Sequence, residues 1–205
     1  LRNFDESGNI LPPTDRQRLN NLANQEWHSD SSFKKIPSKM SILSAKMIPS
    51  LGGNTEFLSM RASYNALPHQ LKLKIDDKIC WHDYSYGRSK IDPNLVTPEE
   101  KQVLPPVKQK LVLTDNKHGK SLYLGAHCRN IHGMSQNDSN ALLAEINSYI
   151  DTEKFIYSHV WEPFDLIMWD NRAVLHRATP IKGKIEKRLM VRTTVAGQTS
   201  TIDEY

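Results

Sequence analysis

The stretch Asp165-Leu166-Ile167-Met168-Trp169-Asp170-Asn171-Arg172-Ala173-Val174-Leu175-His176 decides how this chain is read. Two apolar runs, Asp165 to Trp169 and Ala173 to His176, flank a polar trio that breaks them. Short runs of this kind bounded by polar residues are strands. Phe155 to Trp161 before the stretch and Leu189 to Ala196 after it have the same character, with Pro163 and Gly183 as punctuation. The second half is therefore strand-rich, while helices are inserted earlier. The expected fold is mainly β with inserted helices, a largely antiparallel barrel or jelly roll (double-stranded β-helix) under helical cover.

Working backwards, Leu142, Ile146 and Ile150 recur at fourfold spacing and predict an amphipathic helix over Ala141 to Ile150. Gln109 to Thr114 and Ser121 to His127 are strand candidates joined by the polar loop Asp115 to Gly119. Thr97-Pro98-Glu99-Glu100 starts a helix, with proline at its first position and acids in its first turn. Met60, Tyr64 and Leu67 recur at helical spacing, Pro68 interrupts, and Leu71 and Ile75 continue in a second short helix. Ser41 to Ile48 reads as a strand, Gly52-Gly53 as a turn, and Thr55-Glu56-Phe57 as extended again. Thr14 and Gln17 have capping-box spacing, so a short helix runs from about Asp15 to Ala23 and delivers the chain to Trp27-His28-Ser29-Asp30.

The totals bound the class. A chain of 205 residues, 38% hydrophobic and 24% charged, is expected to form a single domain over 1–205 with a real core. It begins at Leu1 rather than Met, which points to a missing N-terminal segment. No apolar run has the length of a membrane span, and a net charge of +4 without a basic, aromatic-interleaved stripe argues against nucleic acid as partner. Cys80 and Cys128 have neither metal-binding spacing nor a disulfide pattern, so a cytoplasmic setting is the simplest. Lys182, Lys184, Lys187 and Arg188 cluster after His176, as a solvated loop or as cations meeting small anions.

On an extended strand, residues i and i+2 share a face, so His28 and Asp30 can converge on one ion, with His176 arriving from far along the chain. Two His and one carboxylate hold non-haem Fe(II) and leave positions open for other ligands. The same set suits a zinc hydrolase, although no His-Glu-X-X-His helix offers a general base. A non-catalytic remnant is the third reading.

The stretches Trp27-His28-Ser29-Asp30, Gly52-Gly53-Asn54-Thr55-Glu56, Trp169-Asp170-Asn171-Arg172 leading to His176, and Arg188-Leu189-Met190-Val191-Arg192-Thr193-Thr194 occur in this order. In order and spacing the chain resembles the taurine dioxygenase and 2,4-dichlorophenoxyacetate dioxygenase family of Fe(II)- and 2-oxoglutarate-dependent oxygenases, from about residue 14 to about residue 198. The resemblance implies that His28, Asp30 and His176 ligate the iron and that Thr55 meets a carboxylate of 2-oxoglutarate. Arg188 would pair with the distal carboxylate of that cosubstrate, with Lys187 as the competitor for the role. Arg192 would bind the anionic group of the primary substrate, and Asn24 falls where the taurine enzyme has a substrate-side asparagine.

His127 is either a half-buried strand histidine or a substrate-pocket residue, and the stretch around it and His132 looks closer to the aryloxyacetate-cleaving branch. Asp170 and Arg172 are expected to fix the turn that aims His176, and Trp27 and Trp169 to pack. The implied reaction uses O2 to hydroxylate a small acidic substrate, with release of succinate and CO2 and cleavage of an ether where the hydroxylated carbon bears one. An alkylsulfonate such as taurine is the alternative substrate. Relatives commonly form homo-oligomers, so one is expected here.

Overall fold

The computed structural model describes residues 1–150, 153–183 and 185–203. Lys184, from the basic cluster, lies outside the described residues. In chain order the elements begin α1 (Arg16–Ala23), β1 (Ser38–Met47), β2 (Thr55–Ser59), α2 (Met60–Ala66), α3 (His69–Ile75) and β3 (Ile79–His82). There follow α4 (Tyr84–Ser89), α5 (Pro98–Val103), β4 (Val107–Lys110), β5 (Val112–Asp115), β6 (Gly119–Leu122) and β7 (Cys128–Ile131). The last are α6 (Gln136–Ile150), β8 (Ile156–His159), β9 (Leu166–Asp170), β10 (Val174–Ala178) and β11 (Leu189–Ala196).

The protein is mainly β with inserted helices, and all its named strand pairings are antiparallel. One sheet has the order β11-β1-β9 and another the order β10-β2-β8. Along β1 the inward positions Ser41, Leu43 and Ala45 are buried while their neighbours are not, the two-residue period of a half-buried strand. Leu43, Ala45, Phe57, Trp169 and Met190, from strands of both sheets, form one core cluster with Trp161 just after β8. A second cluster gathers Leu71 and Ile75 of α3 and Leu142, Ile146 and Ile150 of α6 against Leu122 of β6 and Ile131 of β7. No helix of the described residues is long and apolar enough to cross a membrane.

The local signals that matched the structure are those with a chemical cause. At α5 the Thr97 hydroxyl accepts from the Glu100 backbone N–H at 3.2 Å, and the Glu100 carboxylate accepts from that of Thr97 at 2.9 Å. The hairpin β5–β6 turns on the Asp115 carboxylate, which accepts from the backbone N–H groups of Lys117 and His118. At α1 the cap is Asp15, not Thr14: its Oδ1 accepts from the N–H groups of Gln17 and Arg18. Helix α6 starts earlier than the apolar pattern, since its first turns carry polar residues; Ser139 is nonetheless buried, accepting from the Ile131 N–H at 2.7 Å. The expected strand Gln109 to Thr114 is two strands, broken at Leu111, because β4 pairs with β3 and β5 with β6. The other expected strand, Ser121 to His127, ends at Leu122.

Beyond Leu122 the chain loops under the first histidine. The Ala126 N–H donates to the Trp27 carbonyl at 2.8 Å. Gly125 has φ +122°, and a Cβ there would stand 2.9 Å from the same carbonyl oxygen, so only glycine lets the two segments approach this closely.

Candidate active site

His28 and His176 are brought together by backbone rather than by sequence proximity. Each donates its N–H to the other's carbonyl, at 3.1 and 2.9 Å, in a single bridge that ties the segment after α1 to β10. Their rings lie 4.2 Å apart. His28 and Asp30 do not sit on a regular strand, as the two-residue spacing anticipated. The chain leaves the bridge and turns, with Ser31 at φ 56°, and the carboxylate comes round to the imidazoles from there. The outcome matches the expectation although the local conformation does not. One ligating atom from each of His28, Asp30 and His176 lies within 4.8 Å of the other two, and all three residues are buried.

Protonation favours metal binding. The His28 Nδ1 is 2.7 Å from the Glu26 carbonyl, an acceptor only, so the proton sits there and the Nε2 lone pair points to the centre. Burial pushes the pKa of His28 down, and that of His176 down to about 3, so both rings are neutral at pH 7. Burial alone would raise Asp30; the facing histidines and Arg192 outweigh it and hold the carboxyl below its ordinary range. With neutral imidazoles, the lasting contribution is Arg192, whose Nη1 donates to Asp30 Oδ1 at 2.6 Å. Three converging donors with one open side are a fit for a divalent cation of the Fe(II) type.

Asn171, in the stretch that decided the fold, does what the sequence did not assign to it. It is 1% exposed, its Oδ1 accepts from Trp169 Nε1 at 3.0 Å and from the Asp30 N–H at 3.3 Å, and its Nδ2 donates to Ser41 Oγ at 2.8 Å. Ser41 in turn donates to Asp30 Oδ2 at 2.7 Å. Asp170 does hold the turn, accepting from the Arg172 N–H at 2.9 Å, but Asn171 is the residue that grips the carboxylate's loop. Trp169 packs as expected, 4.6 Å from the His176 ring, and is also a donor in this network.

A cavity of about 230 Å³ opens beside the triad, with His28, His176, Thr55, Arg188, Arg192 and Asn24 on its wall. Arg188 stands just before β11 and Arg192 within it, and both reach the cavity wall. Burial pushes the Arg188 pKa down to about 10, its Nε has no partner, and no carboxylate among the described residues pairs with it. Lys187 is exposed, with its ammonium 5.4 Å from the Phe4 ring centroid, and is off the wall. Thr55 lies at the start of β2, opposite Ala178 and His159, and its Oγ1 accepts from Trp161 Nε1 at 3.0 Å. That bond leaves the hydroxyl proton for another acceptor. No Asp or Glu lines this cavity among the described residues.

The structure does not bring His127 to the wall of this cavity. It is buried between Phe33 and Tyr84, at centroid distances of 4.8 and 6.0 Å. His132 is exposed, its Nε2 3.2 Å from Lys108 Nζ.

Residues 3–194 match the model of the family "Taurine catabolism dioxygenase TauD, TfdA family". The chain is 35% identical over 196 residues to the alpha-ketoglutarate-dependent 2,4-dichlorophenoxyacetate dioxygenase of Cupriavidus pinatubonensis, covering 95% of this chain and 68% of that relative. It is 29% identical over 206 residues to the (S)-phenoxypropionate/alpha-ketoglutarate-dioxygenase of Sphingobium herbicidovorans, covering 96% and 71%. The chain thus spans about two thirds of the length of such relatives. Among solved structures, AAD-2 in complex with Mn(II) and N-oxalylglycine superposes with a TM-score of 0.91 at 42% identity, covering 98% of this chain and 74% of that one. A taurine dioxygenase from Burkholderia xenovorans shares the fold, with a TM-score of 0.73 at 24% identity over 86% of this chain and 58% of that one. The chain belongs to the taurine catabolism dioxygenase TauD, TfdA family.

Proposed function

We propose that residues 1–205 act as one oxygenase domain on a double-stranded β-helix core, using Fe(II), 2-oxoglutarate and O2 to hydroxylate a small acid of the aryloxy or alkyl type. The observation that carries this is that His28 and His176 of the triad share one cavity wall with an unanswered guanidinium, Arg188. A dicarboxylate suits that wall, because one end can reach the metal while the other takes the planar fork of Arg188 with two parallel hydrogen bonds. Thr55 adds the hydroxyl proton that Trp161 leaves unused.

When bound, the iron supplies the oxidative chemistry that turns 2-oxoglutarate and O2 into succinate, CO2 and a hydroxyl group on the substrate. The residues of the chain bind and orient. His28, with its Nδ1 proton fixed on Glu26, presents Nε2 in one tautomer, and Asn171 and Ser41 fix the carboxylate of Asp30. Apolar and aromatic side chains, Leu43 and Trp169 among them, line the cavity and limit water.

A zinc hydrolase would need a carboxylate or imidazole free to activate water, and no acid among the described residues lines the wall. The aryloxy acid is preferred to an alkylsulfonate because the most similar relatives given above act on phenoxy acids, whereas the taurine structure shares only the fold. The test is anaerobic addition of Fe(II) and 2-oxoglutarate, which should give a visible charge-transfer band that His176→Ala abolishes. Folded protein without that band overturns the reading. A screen of aryloxyacetates and alkylsulfonates for substrate-dependent succinate release then separates the two substrate classes.

A further inference from the structure

Beside the triad stands a second guanidinium without a counter-ion, one that no motif marks. Arg88 projects from α4 towards the end of α1. Its Nη1 donates to the Asn20 carbonyl at 3.0 Å, its Nη2 donates to Asn24 Oδ1 at 3.3 Å, and its carbon lies 5.3 Å from the Tyr84 ring centroid. Its Nε is buried without a partner, and no ion pair among the described residues includes Arg88. A half-buried cation left without a counter-ion costs free energy, and an anion from outside lowers that cost.

The surroundings indicate where such an anion comes from. Arg88, Asn24, Tyr84 and Arg192 line an open chamber of about 730 Å³, which shares Asn24 and Arg192 with the metal cavity. The acids on the chamber wall are engaged elsewhere. Asp5 accepts from Asn9, Asp15 caps α1, Glu100 pairs with Arg16, and Glu6 lies 3.9 Å from Arg2. Arg192 is itself held by Asp30. Because Arg88 occupies the Oδ1 of Asn24, the Nδ2 of that amide is the end left to donate to a ligand.

We propose that Arg88 and the Nδ2 of Asn24 form an anchoring subsite for the anionic group, a carboxylate, of the primary substrate, which enters through this chamber. The proposal rests on the oxygenase reading and extends it: preference for acids is set from α4 as well as from Arg192. Arg88 answers the charge, and the Asn24 amide fixes the orientation.

The test compares binding of 2,4-dichlorophenoxyacetate, its neutral carboxamide and hexane-1-sulfonate to protein loaded with Mn(II) and 2-oxoglutarate, by titration calorimetry. The acid should bind the wild type at least tenfold more tightly than the amide. Arg88→Gln should collapse that ratio towards one, while 2-oxoglutarate affinity stays within twofold. Asn24→Asp supplies Arg88 with an internal carboxylate at almost unchanged volume, so it should cut the ratio at least tenfold even if Arg88→Gln does not fold. An unchanged ratio in either folded variant overturns the subsite. A wild type that prefers the sulfonate to the carboxylate by tenfold overturns the assignment of the anion. Wild-type protein that binds 2-oxoglutarate but no anion in preference to the amide overturns the anchor alone, whereas failure to bind 2-oxoglutarate overturns the oxygenase reading beneath it.

Discussion

Replacing Asn171 by Ala removes an amide that serves three partners at once. The buried Trp169 Nε1–H and Asp30 N–H lose their acceptor, and Ser41 Oγ loses the donor that orients it towards Asp30. Two orphaned buried donors at about 1–3 kcal/mol each, with the smaller loss at Ser41, give an expected destabilisation of about 3 kcal/mol. Urea unfolding of the metal-free protein reads that number directly. Because Asp30 also loses the tether of its loop, Mn(II) affinity should fall by about 10- to 100-fold, the usual consequence of removing a group that orients a ligand. Asp170→Ala is the control: it removes the turn bond to the Arg172 N–H and a part-exposed pair with Arg61 at 3.4 Å, neither of which touches Asp30, so it should cost about 1 kcal/mol and leave metal affinity within threefold. The reasoning fails if Asn171→Ala unfolds within 1 kcal/mol of wild type with unchanged Mn(II) affinity, or if Asp170→Ala matches it on both measures.

Thr55→Val should weaken 2-oxoglutarate binding by about tenfold or more, the value of one hydroxyl bond to a carboxylate, whereas Trp161→Phe, which removes the bond to Thr55 Oγ1 and some core packing but leaves the hydroxyl proton in place, should shift it less than threefold in a 2-oxoglutarate titration. At Gly87 a Cβ would stand 2.7 Å from His127 Nδ1 and 3.0 Å from the Ala126 carbonyl oxygen, so Gly87→Ala should lower stability by about 1–3 kcal/mol in thermal unfolding; an unchanged midpoint would show that α4 does not rest on that segment. Burial pushes His82 down to about 4, while in the unfolded chain it protonates near its ordinary 6.5, so its effect is absent above pH 6.5 and destabilises increasingly as pH falls towards 4. At pH 5 that amounts to about 2 kcal/mol, and His82→Phe, which keeps the stack on Tyr123, should flatten the slope of unfolding free energy between pH 6.5 and 4.

What the sequence disclosed divides by the distance over which the chain acts on itself. The capping box at Thr97, the turn at Asp115 and the spacing of Leu142, Ile146 and Ile150 are local chemistry, and the structure repeats them. Strands β3 and β7 have no comparable signature. Four residues each, they are held by pairing with one another and with β4, and β7 is bent by a register shift opposite Trp81 and His82. The metal triad was visible because its residue types are specific to a chemistry and because the resemblance supplied the partner across the gap from Asp30 to His176. Spacing alone predicted the convergence of His28 and Asp30 through a strand that does not exist there.

The residues that reading missed share one property: each acts through a bond that spans a large part of the chain. Asn171 reaches Asp30 and Ser41, and Arg88 reaches Asn20 and Asn24, so neither leaves a periodic trace near its own position. Arg192 shows the converse. Its type and its place after Arg188 marked it as an anchor for the substrate's acid, yet in the folded chain its fork is engaged by Asp30, a carboxylate of the candidate metal triad. A cation shared in this way cannot by itself offer a full charge to an incoming anion. The charge that remains available resides on Arg188 and on Arg88, each half-buried with a buried Nε and each without a carboxylate among the described residues. On the proposed reading these two guanidiniums would serve two acids, Arg188 the cosubstrate and Arg88 the substrate.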